Sequence, residues 1–160
     1  ELDHHRLRMV EFRTVADIEA YLHRHIPITR DMGVRVLECS HQGVALSAPL
    51  APNVNHRATV FGGSVSATLI LAAWTWLHFS LREAGLRCQI VIQRNTVDYV
   101  APIPGDFTVR CDGLTAAPWE RFLRTLRRHG KARLELHARL QWHGKTAAKF
   151  AGDYVAVILK

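Results

Sequence analysis

Pro49-Leu50-Ala51-Pro52-Asn53-Val54-Asn55-His56-Arg57-Ala58-Thr59-Val60-Phe61-Gly62-Gly63-Ser64 runs without a break into Val65-Ser66-Ala67-Thr68-Leu69. Residues 49–61 hold prolines, asparagines and a histidine with no regular period, so they read as a loop. Loops of this length inside a compact domain are usually functional. From Gly62 the pattern changes. Val65, Leu69, Ala72, Trp76 and Phe79 recur at alternating steps of four and three, one stripe of a helix. Leu71, Trp74 and Leu81 widen the apolar surface beyond that stripe, which predicts a helix over 62–84 buried on most sides. Gly85 closes it as a carboxyl-terminal cap.

Working outward, Thr14-Val15-Ala16-Asp17 has the form of a helix start, with a capping hydroxyl and an acid in the first turn. That helix is expected over 14–25 and must stop before Pro27. Two strand-like runs follow, 32–39 and 43–48, joined by a polar step that predicts an antiparallel hairpin. Val34 and Val36, then Val44 and Leu46, lie two apart, so each strand buries one face. Beyond the central helix, strands are expected over 89–100 and 106–112. Residues 118–129 are a basic segment, either a short helix or an extended connection. A final hairpin, 131–143 and 146–159, turns at Gly144-Lys145.

The chain has 160 residues, enough for one domain with a sizeable core. The first stretch, Glu1 to Arg8, is polar and His/Arg-rich and shows no secretory signal, and residues 1–12 are expected to be disordered or foreign to the native chain. The apolar run 65–77 is too short to cross a bilayer. Cys39, Cys88 and Cys111 share no metal-ligand spacing and read as reduced thiols of a cytoplasmic protein. None of the ten histidines falls in an HExxH-type pattern, so no metal is expected. The formal charge of +7 suits nucleic acid, polyphosphate ligands or acidic proteins, and charge alone does not choose among them.

The order of elements suggests an α+β fold with one antiparallel sheet wrapped around a long helix. The loop makes this more specific. Asn53-Val54-Asn55-His56, Phe61-Gly62-Gly63-Ser64 and Tyr99-Val100-Ala101-Pro102-Ile103-Pro104-Gly105-Asp106 together resemble the signatures of the hot-dog thioesterase superfamily. The closer resemblance is to the YiiD C-terminal-type thioesterases, over roughly residues 27–159. It implies a hot-dog fold, a homodimer or dimer of dimers with sites at the subunit interface, and acyl thioesters of coenzyme A or acyl carrier protein as substrates. The coenzyme A or phosphopantetheine is then the substrate's carrier, and no separate cofactor is expected. Residues 91–99 are the expected pairing edge of the dimer, since this long strand otherwise leaves a sheet edge open.

The residues themselves point the same way. First-turn amides of a helix have no intrahelical acceptor, and the helix dipole adds a positive field there. Gly62 and Gly63 allow a ligand close approach, so the Gly63 amide is the candidate donor to a thioester oxyanion. One such donor is typically worth about 3–4 kcal/mol in the transition state. The competing reading is that the two glycines only permit tight packing. Asn55 either orients water or a carboxylate, or holds the loop as an Asx-turn. His56 is a candidate acid–base with an unperturbed pKa near neutrality, against a merely solvated loop histidine. Phe61, Gly62, Thr59 and Ser64 are candidate substrate contacts, with capping of the helix as the alternative for Ser64. Asp98 could face the site across the dimer, but pairing with an arginine such as Arg94 is the better explanation. His78 shares the face of Ser64 yet lies fourteen residues on, about 21 Å along the axis, so it serves another place.

Many hot-dog thioesterases carry Asn-x-x-Gly-x-x-His-Gly-Gly here, and an acid in the following helix. This chain keeps Asn55, has Ala58 for the glycine and Phe61 for the histidine, and has no Asp or Glu from Ser64 to Arg82. Hydrolysis by a helix carboxylate is therefore in question. Decarboxylation of a malonyl thioester needs no activated water, and the resemblance permits it, because the family has been linked to malonyl-carrier-protein decarboxylation. A non-catalytic acyl-thioester binder is a third reading. The basic run Arg121, Arg124, Arg127, Arg128, Lys131 and Arg133 suits coenzyme A phosphates, an acidic carrier protein or plain solvation. Nucleic-acid binding lacks any supporting motif, and no membrane partner is expected.

Overall fold

The computed structural model describes residues 14–160; the stretch 1–12, expected to be disordered or foreign, lies outside the described residues. Helix α1 (Val15–His25) starts where Thr14 accepts a hydrogen bond from the Asp17 amide at 3.1 Å, and it buries Ile18 and Leu22. A further turn, α2 (Ile28–Asp31), was not expected. Pro27 heads it with φ −56°, already helical, and Gly33 ends the corner at φ +72°. Strands β1 (Arg35–Ser40) and β2 (Gly43–Ala48) form the antiparallel hairpin, with Val36, Val44 and Leu46 buried.

Helix α3 (Gly62–Glu83) is the core of the molecule, with Trp76, Leu69, Leu77 and Leu81 fully enclosed. By length and composition it could cross a bilayer, but 67% of that span is buried inside the protein. It closes at Ala84 and Gly85, the latter at φ +80°. Strands β3 (Cys88–Tyr99) and β4 (Phe107–Cys111) follow, then α4 (Ala116–His129), β5 (Lys131–Trp142) and β6 (Lys145–Ile158). The segment left open between helix and extended chain is thus a helix. Trp119, Phe122, Leu123 and Leu126 bury one face of α4, and Gly130 ends it in the left-handed conformation.

The six strands make one antiparallel sheet in the order β1-β2-β4-β5-β6-β3. It wraps α3, which packs on all six strands. Two buried aromatics lock the helix to its surroundings through their polar tips. Trp76 Nε1 donates to the His41 carbonyl at 2.8 Å, and the Tyr154 hydroxyl donates to the Ile70 carbonyl at 2.7 Å. Strand β3 lies at the sheet edge, paired along one side with β6. Among the described residues no ion pair joins Asp98 to Arg94, so the pairing offered for Asp98 is corrected; it stands exposed on β3.

Candidate functional site

The loop before α3 is built from its own sequence. A bridge between Val54 and Val60 pinches residues 55–59 into a tight excursion. Asn55 organises it. Its Oδ1 accepts from the Arg57 amide at 2.8 Å and the Thr59 amide at 3.1 Å, and its Nδ2 donates to Thr59 Oγ1 at 2.8 Å. The Asx-turn alternative is therefore present in the geometry. The second Nδ2 contact, to the Val60 carbonyl, is 3.5 Å long, at the limit of a hydrogen bond. One Asn55 donor hydrogen is thus loosely held. Thr59 spends its hydroxyl and both backbone groups on Asn55. His56 stands exposed at the tip with no side-chain hydrogen bond among the described residues.

The loop is anchored by residues that sequence reading did not assign. Asn53, 2% exposed, donates from Nδ2 to the carbonyls of Met32 and Pro49, both at 2.8 Å. Its carbonyl accepts the Phe61 amide at 2.7 Å. The segment 99–106 braces the same loop from the other side. Tyr99 reaches Gly62, the Ile103 carbonyl accepts the Val60 amide at 2.9 Å, and Asp106 Oδ1 accepts the Leu50 amide at 2.8 Å. The signature residues Tyr99 and Asp106 gave a signal, but no local pattern says that they close on residues 50–62.

At the start of α3 the chain turns with Phe61 as cap residue and no side-chain cap. Capping was one of the readings offered for Ser64. Ser64 does not cap, because it already sits inside the first turn, where its amide bonds the Phe61 carbonyl at 2.9 Å. The Val65 amide shares that acceptor at 3.1 Å. The amides of Gly62 and Gly63 have no acceptor among the described residues, and Gly63 is exposed. A Cβ at Gly63 would run into the Phe61 ring, so glycine lets that ring lie across the first turn where any other residue would displace it. Phe61 and Tyr99 are themselves 57% and 58% exposed, two large apolar surfaces flanking bare amides.

Tyr99 adds a positioning contact. Its hydroxyl donates to the Gly62 carbonyl at 3.3 Å. That carbonyl and the Gly63 N–H belong to one planar trans peptide unit and point in opposite directions. Holding the oxygen therefore aims the hydrogen. The resulting site has polarised donors and apolar flanks, and no acid in the first turn of the helix. It can bind and stabilise negative charge on one oxygen.

Other reactive-looking groups lie elsewhere. Cys39 is pushed up to about 12 by burial and Cys111 to about 11, so both are protonated thiols rather than nucleophiles. His78, lowered to about 4 by burial, is wedged between Trp74 and Tyr21, with no hydrogen-bond partner for its Nε2 among the described residues. At the carboxyl end of α3, Ser80 Oγ and His41 Nδ1 are 2.9 Å apart beside a small cavity that Cys39 and Glu83 also line.

A helix wrapped by an antiparallel sheet, with free amides where a loop enters it, is the hot-dog fold of the thioesterase class. Residues 15–158 match the YiiD_C family, described as "Putative thioesterase (yiiD_Cterm)", and the chain belongs to that family. It is similar to a protein of unknown function from Chlorobaculum tepidum TLS, at 26% identity and a TM-score of 0.83, covering 89% of this chain and 93% of that one. A "putative thioesterase" from Shewanella oneidensis gives 28% identity and a TM-score of 0.80, covering 89% and 96%. A Pseudomonas aeruginosa protein at 19% identity shares the fold, with a TM-score of 0.73 over 91% and 97% of the two chains.

Proposed function

We propose that this protein hydrolyses acyl thioesters carried by coenzyme A or acyl carrier protein, and that the Gly63 amide, with Gly62 beside it, holds the thioester oxygen. The amides at the start of α3, without an acceptor among the described residues and with Gly63 exposed, carry this reading, in a chain of a thioesterase family. The thioester carbonyl accepts from Gly63 N–H, and the loose hydrogen of Asn55 orients the water or the acyl group. Phe61, Thr59 and Ser64 line the approach. His56 takes the proton from water as it attacks the carbonyl carbon. The tetrahedral oxyanion sits on the amides, then collapses with departure of the thiolate, which takes up the proton. Supporting a homodimer paired through β3 are the strand's edge position, its twelve residues and the exposure of Val91 and Tyr99. The free, unreactive cysteines agree with a cytoplasmic setting.

A second reading has its own observation: α3 has no acid in its first turn, and none stands between Ser64 and Arg82. Malonyl-thioester decarboxylation breaks the bond from the α-carbon to the carboxylate, sends the electron pair into an enolate held by the same amides, and releases carbon dioxide. A proton from solvent then completes an acetyl thioester. Incubation with acetyl-, hexanoyl- and malonyl-thioesters, following free thiol and carbon dioxide separately, tests both. Thiol without carbon dioxide is expected. Carbon dioxide with the thioester intact replaces hydrolysis by decarboxylation, and binding without either product reduces the protein to an acyl-thioester binder.

A further inference from the structure

Residues 116–133 hold six Arg or Lys side chains against the single acid Glu120, a net +5 of the chain's formal +7. On α4, Trp119, Phe122, Leu123 and Leu126 face inward, while Arg121, Arg124, Arg127 and Arg128 are all exposed. None of these four makes an ion pair or side-chain hydrogen bond among the described residues. The contrast with the sheet is direct. There, Arg110 is held between Glu38 and Asp112 at 2.8 and 2.6 Å, and Arg139 also reaches Asp112 at 2.8 Å.

Like charges three and four residues apart on a helix oppose it by about 0.2–0.5 kcal/mol per pair. Arg127 and Arg128 gain from the dipole at the carboxyl end of α4, but Arg121 and Arg124 lie too far from it. Glu120, four residues before Arg124, offsets only part of this, so the helix carries an excess repulsion that an external anionic surface would relieve.

The shape says which surface. Arg121, Arg124 and Arg128 form one ridge about 10 Å long on the helix axis. A ridge of separated guanidinium groups suits a row of carboxylates better than one compact phosphate cluster. The helix's aromatic side chains, Trp119 and Phe122, are buried, so no stacking platform is offered to nucleic acid bases. Trp119 packs on Trp76 of α3 with ring centroids 5.2 Å apart. Trp76 lies thirteen residues from Gly63, about 20 Å along the axis, so a carrier docked on α4 must present its thioester on a flexible arm at least that long.

We propose that the outer face of α4 docks an acidic helical surface of the protein that carries the thioester. The identity of that carrier rests on the proposed hydrolytic function; the docking of an acidic protein does not. The test compares wild type with Arg124→Glu/Arg128→Glu, using hexanoyl-acyl carrier protein and hexanoyl-pantetheine. The double variant should raise KM for the carrier-borne substrate at least tenfold with kcat unchanged, and leave hexanoyl-pantetheine kinetics as they were. Equal kinetics of variant and wild type on both substrates would overturn the proposal. Fluorescence anisotropy with labelled holo-acyl carrier protein reads docking apart from turnover. Binding by wild type that the variant loses supports docking even where nothing is hydrolysed, and absence of binding by wild type sinks it. Binding of single-stranded RNA or anionic vesicles that depends on Arg124 and Arg128, with carrier binding unaffected by the charge reversal, also overturns it.

Discussion

At its amino end α3 offers two unclaimed amide hydrogens, an exposed Phe61 and no acid in its first turn. At its carboxyl end it offers Ser80 2.9 Å from His41, a cavity and a nearby thiol, all the parts a search for nucleophiles would select. The field decides between them. The carboxyl end of a helix carries partial negative charge, which opposes an oxyanion, and Ser80 is buried with His41 stacked on Trp76 and tilted against Trp119. The amino end has the right sign and open donors. Side-chain types alone would have favoured the carboxyl end over the one proposed.

The comparison can be broken most forcefully at Gly63. Gly63→Ala keeps the amide but sets a methyl group beside it, displaces the Phe61 ring and blocks a ligand's close approach to the donor, so kcat/KM should fall towards the roughly 100-fold that one oxyanion donor is typically worth; steady-state kinetics read it. Next comes His78, in the carboxyl-terminal half. Its folded-state pKa of about 4 lies below the usual 6.5, so the unfolded chain binds the extra proton. The stability this provides is present above pH 6.5 and falls away as pH drops towards 4, by about 3 kcal/mol. Melting curves across that range should show the loss in wild type and a smaller one in His78→Leu.

Asn55→Ala should slow turnover more than tenfold while the protein stays folded, since it removes both the loop's organiser and the loosely held donor. Tyr99→Phe should lower kcat a few-fold with KM and melting temperature little changed, because it keeps the exposed ring and frees only the Gly62–Gly63 peptide. Smallest of all is Ser80→Ala. It should leave turnover within twofold of wild type and cost about 1 kcal/mol of stability, measured by denaturant titration, for the lost hydrogen bond to His41. A collapse of activity in Ser80→Ala would reverse the assignment of the two ends.

Much of the architecture was legible because period and burial coincide. The stripe from Val65 to Phe79 marked α3, and the alternation at Val34, Val36, Val44 and Leu46 marked the first hairpin. Helix α2 was not legible, since four residues set by Pro27 and Gly33 have no period to read. The α4 segment read ambiguously because its arginines and Pro118 obscure the inward spacing of Trp119, Phe122, Leu123 and Leu126. At the candidate site, the glycines and Asn55 could be named from local motifs. Their braces could not: Tyr99 meets Gly62 across 37 residues and Asp106 meets Leu50 across 56, contacts that exist only once the sheet has formed.

The most direct measurement follows the amides themselves. The chain has ten glycines, so a 15N-glycine-labelled sample gives a short, assignable set of amide resonances. A ketone analogue of hexanoyl-pantetheine, with methylene in place of sulfur, should move the Gly63 proton strongly downfield, with Gly62 following and Gly85 unmoved. Saturating ligand that shifts Gly85 and leaves Gly62 and Gly63 in place would contradict the account.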